Sequence, residues 1–108
     1  MQNRIYGYIG LAMKAGKIKA GEFSTEKSIK GGKARLVLVA EDASDNTIKK
    51  FSNSCLHYKV PFYTFGTKDE LGKIIGKEMR SSLSIEDEGF GERIIGFMNG
   101  GNADVRGE

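Results

Sequence analysis

The sequence predicts an α/β protein built as a three-layer α/β/α sandwich, and three observations carry that reading. Helix-type and strand-type segments alternate in the order α-β-α-β-α-β-α-β-α along 108 residues, a pattern that puts helices on both faces of a sheet. The segment Ala34-Arg-Leu-Val-Leu-Val-Ala40 is almost continuously apolar, as a strand is when both its faces are covered. No internal repeat and no linker divides the chain, so one domain over residues 1–99 is expected, with residues 100–108 as a flexible tail without apolar periodicity.

Ile5, Ile9, Ala12 and Met13 recur at helical spacing, which predicts a first helix over residues 4–15, capped by Asn3 and ended by Gly16. A short strand, Ile18 to Ala20, follows. Gly21 then opens a weakly apolar helix that stops at Gly31-Gly32. After the Ala34–Ala40 strand, the polar run Glu41-Asp-Ala-Ser-Asp-Asn46 supplies a turn and a cap. The next helix carries Ile48, Phe51, Cys55 and Tyr58 on one side. Pro61 opens a strand from Phe62 to Phe65, at a position where its missing N–H is tolerated.

Thr67-Lys-Asp-Glu70 matches a capping box, in which Thr67 and Glu70 satisfy each other's free N–H groups. Leu71, Ile74 and Ile75 give that helix its buried side, and Gly76 ends it. Leu83 and Ile85 alternate with Ser82 and Ser84, which predicts a half-buried edge strand. A last helix from Glu88 to Met98 sets Phe90, Ile94, Phe97 and Met98 on one face.

Hydrophobic residues make up 39% and charged residues 29% of the chain, the balance of a soluble protein with one core. The net charge of +3 and a pI near 9.0 bias the chain mildly towards nucleic acid. A single cysteine permits no internal disulfide, and a reducing, cytoplasmic compartment is expected. No apolar run approaches the ~20 residues that span a bilayer, so no membrane partner is expected. Met1 reads as a start, with no secretory pattern behind it.

The residues that organise reactions are missing. Cys55 and His57 stand two apart and face different sides of a helix, so they read as a core thiol and a partly exposed imidazole, too few for a zinc site. Gly32-Lys33 lacks the glycine and hydroxyl residue of a phosphate loop, with Lys27 and Ala34 in those places. Gly89-Phe-Gly91 has Ile94 where a dinucleotide loop needs its third glycine. Glu86-Asp-Glu88 reads as helix-start charge. No enzyme activity, cofactor or metal is expected.

Binding chemistry gathers at Gly21. A helix start exposes unpaired N–H groups and the positive end of the dipole, and glycine lets another molecule approach that backbone. Lys17 and Lys19 flank Ile18 and share the face opposite it. Lys27, Lys30, Lys33 and Arg35 extend the charge. Glu22, at the first helical position, stabilises the helix but repels a phosphate placed there, so a contact to a base edge fits this corner better. Phe23 reads first as a core residue; exposed, it would offer a stacking surface to an unpaired base. A second loop, Gly76-Lys-Glu-Met-Arg-Ser81, is expected beside the first, with Arg80 towards phosphate and Met79 against an extruded base. The bland alternatives are a solvated charged face and a routine connector with a flexible methionine.

Gly16-Lys-Ile-Lys-x-Gly21, Thr25-x-Lys27, Ala34-Arg-Leu-Val-Leu-Val-Ala-Glu-Asp42, Val60-Pro-Phe-Tyr63 and Glu70-Leu-Gly-Lys-x-x-Gly76 resemble the kink-turn RNA-binding ribosomal proteins of the L-seven-Ae and L-thirty-e type. Ala40-Glu-Asp-Ala-Ser-x-Asn-Thr-x-Lys-Lys50, Tyr58-Lys-Val-Pro61, Gly76-Lys-Glu-x-Arg80 and Asp87-x-Gly-Phe90 are similar to its bacterial YlxQ-like branch. The resemblance runs from residue 4 to about residue 98. It implies a four-stranded mixed sheet and binding to a sharply bent RNA internal loop with sheared G·A pairs.

By position, Gly21 and Lys27 match the family pattern, whereas Phe23 and Ser24 stand where the family usually has Asn and Glu. Glu78, Met79 and Arg80 fall in the loop that covers an extruded nucleotide. The resemblance thus implies a monomeric, non-catalytic binder of kink-turn-like RNA, such as ribosomal RNA or a riboswitch, with altered guanine contacts. A protein-interaction module on the same fold, without specific RNA recognition, is the alternative that Phe23 and Ser24 raise.

Overall fold

A computed structural model describes residues 2–100, with side chains from Arg4 onward. Five helices alternate with four strands: α1 (Gln2–Lys14), β1 (Ile18–Ala20), α2 (Glu22–Lys30), β2 (Leu36–Val39), α3 (Asp45–Tyr58), β3 (Phe62–Thr64), α4 (Lys68–Ile74), β4 (Ser82–Ile85) and α5 (Glu88–Met98). The strands form one mixed sheet in the order β1-β4-β2-β3. β4 runs antiparallel to both its neighbours, and β3 runs parallel to β2. α2 and α3 cover one face of the sheet, and α1, α4 and α5 cover the other. Helix α1 already includes Asn3, so the expected cap position lies inside the helix, and the Asn3 side chain lies outside the described residues, as does the expected tail beyond Gly100.

β4 is the main departure from the sequence reading, because it lies at the centre of the sheet and not at its edge. Its four residues are all buried, including Ser82 and Ser84. Alternating serines ordinarily mark a wet face, but here the hydroxyls face α2 and find partners there. Ser84 Oγ lies 2.7 Å from Ser28 Oγ, and Ser82 Oγ donates to Thr25 Oγ1 at 3.0 Å. The two edges are instead the three-residue strands β1 and β3. Strand β2 spans four fully buried residues rather than the whole of Ala34–Ala40, since Arg35 N–H bonds Ile85 O and Ala40 N–H bonds Ser81 O outside the ladder.

The expected capping box forms. Thr67 Oγ1 accepts from Glu70 N at 3.1 Å, and Glu70 Oε1 accepts from Thr67 N at 3.1 Å. Ser44 caps α3 and Asp87 caps α5. Tyr58, expected on the buried side of α3, is exposed. It ends the helix just before Lys59, whose φ of 61° reverses the chain. His57 is exposed and Cys55 is 1% exposed.

Burial, reinforced by the negative charge of Glu26, pushes the Cys55 thiol up to about 12. A thiol in that state has almost no thiolate at neutral pH. The native protein is therefore expected to resist a disulfide-exchange reagent and to label once on unfolding. Rapid labelling of the folded protein would show that α3 opens locally.

A side-chain hydrogen bond latches α1 to α4. Tyr6 Oη donates to Glu70 Oε1 at 2.6 Å. That bond, followed by the Thr67 N–H, lowers the Glu70 carboxyl below its usual 4.5, while burial and then Glu70 raise the Tyr6 hydroxyl to about 12. A lowered carboxyl contributes stability above its ordinary value and loses it as pH falls through the lowered one. The raised phenol contributes below 10 and loses its share as pH rises through about 12. The stability deficit of Tyr6→Phe is thus expected to be larger at pH 7 than at pH 3, read from urea midpoints. Equal deficits would contradict this linkage.

Candidate nucleic-acid interface

Gly21 turns the chain from β1 into α2 with φ 97° and ψ 159°, a backbone region that side-chain-bearing residues rarely enter. Its N–H donates to Ser82 O at 3.1 Å, and its carbonyl accepts the first helical bond from Thr25 N at 2.9 Å. No side chain caps α2, so its first-turn N–H groups remain for an outside partner. A Cβ on Gly21 would meet nothing within 4 Å, so the space above it is open.

The second loop lies beside this junction, as expected. It precedes Ser82, the residue that holds Gly21, and its own Ser81 O accepts from Ala40 N at 2.9 Å. Lys77 N–H bonds Gly72 O at 2.8 Å, and Arg80 N–H bonds Lys68 O at 3.1 Å. Gly72, inside α4, touches the loop backbone directly: a Cβ there would lie 2.6 Å from the Glu78 carbonyl carbon. Met79 is 55% exposed at the loop tip, and Glu78 is exposed too. The Arg80 guanidinium folds back onto its own loop, donating to Met79 O at 2.9 Å and Glu78 O at 3.4 Å. It stiffens the loop and leaves its remaining donors for an anion.

Phe23 is 79% exposed, which overturns the core reading. The buried side of α2 is Thr25, Ser28 and Ile29, and Phe23, two residues before Thr25, faces away from it. Lys17, Lys19, Lys27 and Lys33 are exposed, and none forms an ion pair among the described residues. Lys30, also exposed, has a partner within the protein. It pairs with Glu26 at 3.4 Å, and the same carboxylate oxygen accepts from Ser54 of α3, which draws Lys30 to the α3 side. Glu22 is likewise drawn to α3, 3.3 Å from Lys50. This moves its charge off the helix start and weakens the repulsion that its position predicts. Lys50 carried no local signal, since the pair spans 28 residues.

Lys19, Phe23, Ser24, Lys27, Lys33 and Glu86 line a cleft of about 450 Å³ between α2 and β1. No group of His, Cys, Asp or Glu among the described residues is arranged to hold a metal ion, and no helix there is long and apolar enough to cross a membrane.

The sequence model of the Ribosomal protein L7Ae/L30e/S12e/Gadd45 family matches residues 3–94. The chain belongs to this family. The "RNA-binding protein YlxQ" of Bacillus subtilis (strain 168) is 41% identical over 91 residues, covering 84% of this chain and 91% of that protein. The protein of the same name from Enterococcus faecium is 40% identical over 92 residues, covering 85% and 88%. A solved Bacillus halodurans protein described as of unknown function superposes with a TM-score of 0.85 at 29% identity, covering 88% of this chain and 96% of that one. Within the L7Ae/L30e/S12e/Gadd45 family frame, the five helices and mixed four-stranded sheet are the expected architecture. Gly21 precedes α2, Phe23 and Ser24 lie on its first turn, and Lys27 lies in its last turn.

Proposed function

We propose that this chain is a non-catalytic RNA-binding protein that recognises structured RNA bent as in a kink-turn, ribosomal RNA and riboswitches included. It acts as a cytoplasmic monomer, its binding domain spanning residues 1–99. One observation carries the reading: the Gly21 helix start and the 76–81 loop meet at one end of β4, flanked by lysines that form no ion pair among the described residues. Lys17, Lys19 and Lys27 hold the phosphate backbone, the open N–H groups of Glu22, Phe23 and Ser24 meet the bent element, and Met79 and Arg80 close over it. The names of the Bacillus and Enterococcus relatives support RNA as the partner.

Calorimetric titration of the protein with a kink-turn RNA and with a plain duplex, at two salt concentrations, tests this. The kink-turn RNA is expected to bind more tightly, each phosphate contact adding about 0.7–0.9 to the log–log salt slope. Equal affinity for the duplex would sink the claim of bent-RNA recognition. The exposed Phe23 ring supports a second reading, a protein-interaction surface. A pull-down that needs Phe23 and survives nuclease treatment would favour it.

A further inference from the structure

The cleft beside α2 holds more chemistry than a backbone-gripping surface uses. Its volume of about 450 Å³ suits one nucleotide, since small-ligand sites begin near about 300 Å³. Lys19, Lys27 and Lys33 face a single carboxylate, Glu86, so the cleft favours an anionic occupant. Lys30 pairs with Glu26, and none of those three ammonium groups forms an ion pair among the described residues. The Phe23 ring at the cleft wall is 79% exposed, a flat apolar face that water leaves unsatisfied and a nucleobase would cover.

Glu86 adds selectivity. A carboxylate only accepts hydrogen bonds, so it cannot serve a phosphate and calls for an amino donor. The exocyclic amino groups of cytosine and adenine supply one. Uracil's edge N–H sits between two carbonyls that repel a carboxylate.

Building on the RNA-binding reading above, we propose that this cleft holds one unpaired, amino-bearing nucleotide that flanks the bent element. Its base stacks on Phe23, its amino edge meets Glu86, and its phosphates lie on Lys19 and Lys33.

Titration of the isotope-labelled full chain with single-stranded tetracytidylate, tetraadenylate and tetrauridylate, followed by NMR, tests the subsite. The first two are expected to shift the Lys19, Phe23, Ser24, Lys33 and Glu86 amides and to move the Phe23 ring protons upfield. They should bind at least about fivefold more tightly than tetrauridylate, as one amino contact predicts. Glu86→Gln should erase that preference, and Phe23→Leu should weaken all three by about tenfold. Lys33→Ala should cut the salt slope by about 0.7.

Phe23 and Lys33 are exposed and Glu86 is partly exposed, and an unchanged thermal midpoint checks that each variant folds. Unshifted cleft amides, shifts confined elsewhere, or equal affinity for all three oligonucleotides would overturn the subsite. If the kink-turn RNA binds the same sample while the cleft stays silent, the subsite alone fails. If neither binds, the RNA-binding reading falls with it.

Discussion

Replacing Lys17, Lys19 and Lys27 together by alanine is expected to lower affinity for a kink-turn RNA roughly 500-fold at 0.1 M salt. The figure takes one phosphate per lysine and a slope of about 0.9 per contact, extrapolated from 1 M salt, where the contacts contribute little. The three ammonium groups are solvent-exposed and unpaired among the described residues, so the fold has no use for them and the thermal midpoint should hold. The log–log salt slope should fall by about 2.7. A lower affinity with an unchanged slope would mean that the lysines act through the shape of the junction and not through charge. Lys30→Ala, which first breaks an exposed ion pair to Glu26, should change the slope less than Lys27→Ala. An equal change would show that Lys30 swings across α2 to reach the RNA.

Gly72→Ala should be the most damaging single substitution in the loop framework. An exposed helical glycine changed to alanine ordinarily stabilises a helix by up to ~1 kcal/mol. Gly72 is buried, and its new methyl would overlap the Glu78 carbonyl group and lie 3.1 Å from Lys77 O. Those atoms are backbone and cannot rotate aside, so α4 and the 76–81 loop must separate. Overpacking of this kind costs about 1–3 kcal/mol or more. Chemical denaturation should therefore show Gly72→Ala losing stability, whereas Gly96→Ala in α5, with nothing within 4 Å of its Cβ, should gain it. RNA affinity should drop for Gly72→Ala alone, because only that change moves Met79 and Arg80. Two variants of equal stability would show that the loop is not seated on the helix.

The layer order was legible because the periodicities are strong: Ile5, Ile9 and Ala12 in α1, and Leu36 to Val39 in β2, are buried as their spacing predicts. The capping box at Thr67 was legible because both of its hydrogen bonds join residues three apart. β4 was misread because its serines are satisfied by Thr25 and Ser28, more than 50 residues away, and local alternation cannot report a distant partner. Phe23 was misread for a related reason. A nine-residue helix whose buried side includes a serine and a threonine leaves little apolar pattern against which to set one phenylalanine. At the candidate site the lysines were legible as charges, but their allegiances were not. Glu26 claims Lys30, Lys50 claims Glu22, and both pairings depend on how α2 packs on α3.

The hydrogen bond from Gly21 to Ser82 has a consequence for the timing of recognition. It ties one half of the surface to the first residue of a strand whose preceding residues form the other half. The two halves therefore cannot drift apart unless β4 itself parts from β1. The proposed RNA-binding surface is thus assembled beforehand, which leaves a ligand little ordering entropy to remove. Association should then proceed as a single docking event, and the amides of β4, remote from solvent, should exchange with deuterium more slowly once the ligand is bound.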